Sequence, residues 1–180
     1  MKILSIFLVI LFFLIIWIYN KLVKLENQVK EGWSGVEVQL KRRHDLIPNL
    51  IEAVKGYMSY EKLTLERVVQ LRTQSVEAQN ISKKAPIEGE LSNIIKNLFI
   101  LAERYPELKA GEQFLNLQKN LVEIEDALQN ARRYYNGTVR IFNTFLQSFP
   151  INFIAPIFGF KIKEFFDAPE WEEKAIEVKL

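Results

Sequence analysis

The sequence contains no cysteine and a single histidine, His44. Without cysteine, the chain has no disulfide, thiolate metal site, cysteine nucleophile or lipid-modified cysteine. One imidazole excludes zinc sites of the HExxH type and di-iron sites built from paired Glu-x-x-His motifs. The sequence also lacks a glycine-rich phosphate loop and a serine in a nucleophile-elbow context. We therefore expect no catalytic residue, no cofactor and no bound metal.

An excess of charge of one sign is also missing, since 24 Lys and Arg against 22 Asp and Glu leave a formal net charge of +2. Acidic residues interrupt the basic clusters, so nucleic acid is not an expected partner. No useful length of apolar–polar alternation occurs, which argues against a sheet protein. The 180 residues, 49% of them hydrophobic, are sized for one compact domain with an appendage. These features predict an all-α fold.

A long uncharged run opens the chain, from Ile3 to Asn20. It reaches the length needed to cross the hydrocarbon layer as a helix, and its two interfacial aromatic residues lie at its far end. A cleaved signal peptide is the alternative, but no small-x-small cleavage site lies nearby. We therefore predict a retained single-pass anchor over residues 1–20. The residues assigned to it are Ile3, Phe7, Phe12, Phe13, Trp17 and Tyr19.

The lysines on either side of this run bear on its orientation. Lys2 precedes the run, whereas Lys21, Lys24 and Lys30 follow it closely. The positive-inside tendency then favours an N-terminus outside the cell and a cytoplasmic domain.

Helical periodicity continues beyond the anchor. Apolar residues at spacings of three and four predict that the first helix leaves the bilayer unbroken and runs to about residue 58, with a kink at Pro48. Pro86 and Gly89 indicate a polar connection over residues 80–89. A 3-4 seam sustained from Phe114 to Phe149 predicts one long helix, closed by Pro150. The helices are expected at about residues 21–58, 60–79, 90–105 and 112–149.

Short connections make sequential helices antiparallel neighbours. We therefore predict an up-down-up-down bundle of four coiled-coil-like helices, in which the fourth helix ends at the bilayer surface. The domain is expected over residues 21–168, followed by a charged, loosely held tail over residues 169–180.

A second uncharged run, residues 141–160, lies where this helix returns. Its asparagines and prolines argue against a second spanning helix, because unpaired backbone groups are costly in lipid. Two compatible interpretations remain: a membrane-surface or partner contact, or a loop that caps the seam between the first and last helices. The candidate contact residues are Phe149, Phe153, Ile154, Phe158 and Phe160.

The densest ionic cluster is formed by Arg42, Arg43, His44 and Asp45. Adjacent helical residues point about 100° apart, so His44 and Asp45 do not face one another as a catalytic pair. Arg43, however, falls on the apolar stripe, where a charge needs a partner from another helix. Glu123, Glu125 and Asp126 are the candidates. A structural ion pair is the favoured role, and a partner contact is the alternative.

Several collinear motifs resemble the LemA family. They are Tyr19-Asn-Lys-Leu-Val, Trp33, residues 36–57 (VEVQLKRRHDLIPNLIEAVKGY), residues 103–110 (ERYPELKA), residues 114–118 (FLNLQ), residues 131–136 (ARRYYN), residues 139–143 (VRIFN), Ser148-Phe-Pro, and residues through Phe158-Gly-Phe160. The resemblance implies a bacterial membrane protein with one N-terminal anchor and a helical domain of coiled-coil character. It implies no established enzymatic activity, cofactor or catalytic residues. A magnetosome-membrane protein belongs to the family, which suggests roles in organising membranes.

These observations together favour a non-enzymatic, membrane-anchored scaffold of the bacterial cell membrane. Its expected partners are the lipid bilayer and other copies of itself. An adaptor or regulator of an envelope membrane protease or transporter is the alternative, with contacts around Arg42, Asp45 and Asn49.

Overall fold

The computed structural model describes residues 2–57 and 61–166, and these residues contain helices and no strand. The predicted all-α fold is therefore confirmed for the described part of the chain. The predicted tail over residues 169–180 lies outside it. The helices are α1 Lys2–Lys55, α2 Lys62–Glu77, α3 Ile81–Ala102, α4 Pro106–Lys109, α5 Glu112–Gln147 and α6 Ile151–Ile154, with a 3₁₀ turn at Ala155–Phe158 after α6.

Helix α1 combines the apolar run with the start of the domain. It has 54 residues, so it is about 80 Å long. Among the described residues, it is the helix that by itself is long and apolar enough to cross a membrane. Side chains from Ile3 to Leu14 are exposed, whereas Ile18 is buried. The helix thus passes without a break from an uncovered apolar surface into a packed core.

Helix α1 continues past the apolar run without a break, as predicted: it remains one helix through Pro48 and ends at Lys55. Ile47 and Leu50, on either side of the proline, are fully buried against other helices. Burial of large aliphatic side chains outweighs the loss of one backbone hydrogen bond.

The predicted connection over residues 80–89 is wrong. Helix α3 begins at Ile81 and contains both Pro86 and Gly89. Ala85 and Leu91 are buried on its inner face, so tertiary packing stabilises helical backbone where local propensity opposes it.

Two hydrophobic clusters follow one another along the molecule. The proximal core lies near the apolar run and joins α1 from Ile18 to Leu40 with α5 from Leu128 to Leu146. The distal core joins the last turns of α1 with α2, α3 and the start of α5.

The proximal core depends on a close approach of α1 and α5 at Gly32. A Cβ atom on Gly32 would lie 3.1 Å from the Tyr135 Cα and 3.2 Å from the Thr138 Oγ1. Only glycine therefore lets the two backbones pack at this distance without displacement.

Candidate functional site

An ionic centre lies at the boundary between the two cores. We use this name for Arg43 and His44 on α1, Ser75 on α2, Glu88 and Ser92 on α3, and Glu125 on α5. All four long helices thus contribute at least one side chain. Along α1, the centre falls between Leu40 of the proximal core and Ile47 of the distal core.

Arg43 is the hub of this centre and is 1% exposed. Its guanidinium forms an ion pair with Glu88, and its Nη1 donates to the Glu125 Oε2 at 2.8 Å and to the Ser92 Oγ at 2.5 Å. Of the three acidic partners considered from the sequence, Glu125 is the one that pairs. The sequence pattern places Glu88 in a connection and therefore does not predict it as a partner of Arg43.

Glu88 is fully buried, and its carboxylate accepts hydrogen bonds from three side chains on two other helices. The His44 Nε2 donates to its Oε1 at 2.7 Å, and the Ser75 hydroxyl donates to the same oxygen. Burial alone would raise the pKa of Glu88, but the His44 hydrogen bond and the Arg43 charge outweigh it and lower the pKa to about 2. Glu88 is therefore a carboxylate at neutral pH.

This arrangement holds the four long helices together. His44 is 8% exposed, and its hydrogen-bond partner is Glu88, neither Asp45 nor Glu37. Arg42 and Asp45 point away from the centre: both are exposed, and Arg42 donates to the neighbouring Gln39. Within residues 2–57 and 61–166, no three His, Asp or Glu side chains are grouped so as to hold a metal ion.

The second candidate site is the end of the domain next to the apolar run. All six predicted anchor residues are exposed in this chain, as a lipid-facing surface would be. The Tyr19 ring lies 5.1 Å from the Phe158 ring and 6.0 Å from the Phe160 ring, between centroids. Trp17 lies 6.4 Å from Phe145 near the end of α5. The uncharged run of residues 141–160 is therefore located beside the anchor.

Residues 149–160, which we call the aromatic segment, have two faces. Ile151 and Ala155 are buried in the proximal core, and Ile154 and Phe160 pack partly against it. On the other face, Phe149 is 81% exposed, Phe153 68% and Phe158 44%. The segment thus caps the seam between α1 and α5 with one face and presents aromatic rings on the other.

The residues after this segment are held by a clasp that the sequence did not predict. Residues 161–166 are not helical. The Asn143 amide donates to the Lys163 carbonyl at 2.8 Å and accepts from the Lys163 N–H at 2.9 Å. Asn136 makes the same two bonds with Phe166, each at 2.9 Å.

The spacing explains why this clasp fits. Asn136 and Asn143 are seven helical residues apart, about 10 Å. Lys163 and Phe166 are three residues apart in a non-helical stretch, which can span the same distance of about 10 Å. Between them the Tyr135 hydroxyl donates to the Glu164 carbonyl at 2.8 Å. Burial, with the charge of Glu164 adding to it, raises the pKa of Tyr135 to about 12, so the hydroxyl remains a donor. Two asparagines one heptad apart on a helix were the signal available in the sequence.

The sequence model of the LemA family matches residues 32–180. The chain is 25% identical to Magnetosome protein MamQ 2 and to Magnetosome protein MamQ 1 of Paramagnetospirillum magneticum, over 82% of this chain and 64% of each relative. It is also 25% identical to Protein LemA of Metamycoplasma hominis, over 93% of this chain and 77% of that protein. The chain thus spans less than two thirds of the length of the two magnetosome relatives.

Proposed function

The chain belongs to the LemA family, and on that premise we propose that it is a non-enzymatic scaffold anchored in the bacterial cell membrane. In this proposal α1 crosses the bilayer once, and the helical domain recruits or spaces protein partners at a defined distance from the surface.

The observation that carries the proposal is the continuity of anchor and core. Ile18 and Leu22 of α1 belong to the same cluster as Val139 and Phe166. A flexible tether would let a domain move freely, whereas here the anchoring helix is itself part of the core. The 35 residues of α1 after Asn20 extend about 50 Å, so the distal end is held far from the bilayer.

The same packing favours a retained anchor over a cleaved signal peptide. Ile18 is 1% exposed, and Tyr19 contacts two rings of the aromatic segment. Cleavage near residue 20 would remove these contacts and open the proximal core.

The four long helices are proposed to form an antiparallel up-down-up-down bundle that associates with other copies. In support, α1 packs along α5, and α2 packs against both α1 and α3. Tyr134 and Ile141, one heptad apart on α5, are 53% and 58% exposed beside the proximal core. A second copy that covers this face would bury both side chains.

In vivo photo-crosslinking tests the scaffold. A photoreactive amino acid at Tyr134 or Ile141 should capture a second copy of the chain, whereas the same group at Lys119, exposed on the distal half of α5, should not. Crosslinks to lipid alone at every position, with only monomer mass in detergent, would count against the scaffold.

The alternative, an adaptor for an envelope membrane protease or transporter, is favoured by a groove beside Pro48. This groove has a volume of about 380 Å³ and is lined by Ile47, Ile51, Val69 and Arg72 together with Pro48. A photoreactive group at Glu52, an exposed residue that also lines this groove, should then capture a different membrane protein. Capture of a second copy from Glu52 would favour the scaffold.

We propose a cytoplasmic location for the domain on the basis of the lysines that follow the anchor. The absence of native cysteine makes the test clean. A cysteine introduced at the exposed Ile100 should react with a membrane-impermeant maleimide only after the cells are opened. Labelling of the introduced cysteine in intact cells would indicate the opposite orientation, with the domain outside the cytoplasm.

A further inference from the structure

The aromatic segment presents an apolar surface that nothing in the described chain covers. Phe149, Phe153 and Ile157 recur every four residues and are 81%, 68% and 80% exposed. The Phe149 and Phe153 rings pack edge to face at 6.1 Å between centroids. Single exposed apolar side chains are ordinary on a protein surface. A cluster of this kind marks an interaction site.

The position of the segment identifies what covers it. The apolar run from Ile3 to Tyr19 is about 25 Å long as a helix, against a hydrocarbon layer of about 30 Å. Tyr19 therefore lies at the boundary between acyl chains and headgroups. Phe158 packs on Tyr19, so the aromatic segment is at the same level.

The orientation of the segment agrees with this level. Residues 151–158 are bent by 88° from α5. Because α5 packs along α1, a helix α1 that crosses the bilayer places the segment nearly in the membrane plane. Interfacial segments lie in this plane, with their apolar face embedded at the headgroup–acyl boundary.

Charges around the segment indicate the kind of headgroup. Lys21, Lys24 and Lys161 are exposed immediately beyond the level of Tyr19. Glu26, the acidic residue in this part of α1, is already paired with Lys163 at 2.5 Å. Three exposed lysines next to a bilayer attract anionic lipids.

We propose that Phe149, Phe153 and Ile157 insert into the headgroup–acyl boundary of the leaflet at the Tyr19 end of α1. Lys21, Lys24 and Lys161 hold anionic phospholipid headgroups around them. This inference rests on the proposed function, since it requires α1 to remain in the bilayer. The volume of protein in this leaflet is then larger than the volume in the opposite leaflet, because only this leaflet contains the aromatic segment.

Single-cysteine fluorescence tests the insertion on the full chain. Phe153→Cys and Ile157→Cys, labelled with a polarity-sensitive dye, are reconstituted in phosphatidylcholine vesicles that contain brominated acyl chains. Their emission should be blue-shifted. The degree of quenching by the brominated chains should lie between that of two controls, Phe7→Cys within the anchor and Ile100→Cys in the domain. Circular dichroism and unfolding curves that match the unsubstituted chain verify the fold of each variant.

The controls separate the possible failures. A quenched label at Phe7 with an unquenched label at Phe153 and Ile157 overturns the inference and leaves the anchor intact. An unquenched label at Phe7 overturns the anchor itself. Blue-shifted emission at Phe153 without lipid quenching, dependent on protein density, assigns the surface to a second copy and also overturns the inference.

The lysines are tested by adding phosphatidylglycerol to the vesicles. Anionic lipid should increase quenching of the Phe153 label, and the triple variant Lys21→Gln/Lys24→Gln/Lys161→Gln should lose this increase. The matched variant Lys41→Gln/Lys55→Gln/Lys119→Gln, with exposed lysines far from the anchor, should retain it. Quenching that is insensitive to phosphatidylglycerol, or equally reduced in both variants, overturns the role of the three lysines.

Discussion

Asn136 and Phe166 are joined by two hydrogen bonds: the Asn136 side-chain amide donates to the Phe166 carbonyl and accepts from the Phe166 N–H. The side-chain amide thus pairs with the backbone in the way that a neighbouring β-strand does. Asn143 and Lys163 repeat this pairing one heptad closer to the end of the domain that lies beside the apolar run. The buried Phe166 also contacts Trp33, and the Arg132 guanidinium lies 4.7 Å from its ring centroid. The clasp therefore ties the end of the described chain to both α1 and α5.

Asn136→Ala should destabilise the domain by about 1–3 kcal/mol, because it leaves the N–H and C=O of Phe166 without these partners. Chemical denaturation in detergent measures the loss, and hydrogen exchange at the Phe166 amide should become faster. Asn120→Ala, at an exposed position of the same helix, is the matched control and should change stability by less than about 0.5 kcal/mol. Equal effects of the two substitutions would contradict the role of the clasp.

Glu88→Gln should be far more damaging, at about 3–5 kcal/mol, because it leaves Arg43 buried with one anionic partner fewer. Urea unfolding measures the change. Glu90→Gln removes the exposed pair with Arg67 two residues away and should cost less than about 1 kcal/mol.

The double variant Arg43→Met/Glu88→Leu should recover much of the stability that Glu88→Gln loses. It removes both buried charges together and replaces them with apolar side chains. A double variant no more stable than Glu88→Gln would indicate that the hydrogen bonds from His44 and Ser75 dominate the centre.

The low pKa of Glu88 predicts a pH dependence of stability. Its pKa is lowered from 4.5 to about 2 in the folded protein, so the unfolded chain takes up the proton first as the pH falls. The stabilisation by this carboxylate is therefore complete above about pH 4.5 and is lost as the pH approaches 2. Between these values the unsubstituted protein should lose stability more steeply than Glu88→Gln, by at most about 1.4 kcal/mol per pH unit. Parallel curves for the two proteins would contradict this assignment.

Gly32→Ala and Gly35→Ala should have opposite effects on stability. A Cβ at Gly35 meets no atom within 4 Å, so alanine should stabilise α1 by about 0.5–1 kcal/mol through helix propensity. A Cβ at Gly32 would crowd the Tyr135 backbone, which cannot move without displacing α5. Thermal unfolding of the two variants should rank Gly35→Ala above the unsubstituted protein and Gly32→Ala below it.

The hydrophobic pattern alone was enough to predict the two longest helices, α1 and α5. The apolar run and its helical continuation predicted α1, and the 3-4 seam from Phe114 placed α5 to within two residues at its C-terminal end. The charge of Arg43 on an apolar stripe was enough to predict a buried ion pair, because an unpaired charge cannot be buried cheaply. These predictions depend on the spacing of apolar residues along the chain and on the chemistry of individual side chains, and both can be read directly from the sequence.

Tertiary structure decided what depends on distant partners. Pro86 lies inside α3 because burial of Ala85 and Leu91 outweighs local propensity, and this placement brings Glu88 to Arg43. Likewise, the non-helical stretch that contains Lys163 and Phe166 is held by asparagines 20 and 30 residues earlier. Local propensity is worth a few tenths of a kcal/mol to about 3 kcal/mol per residue, so packing between separate segments can override it. Only the folded chain specifies which segments those are.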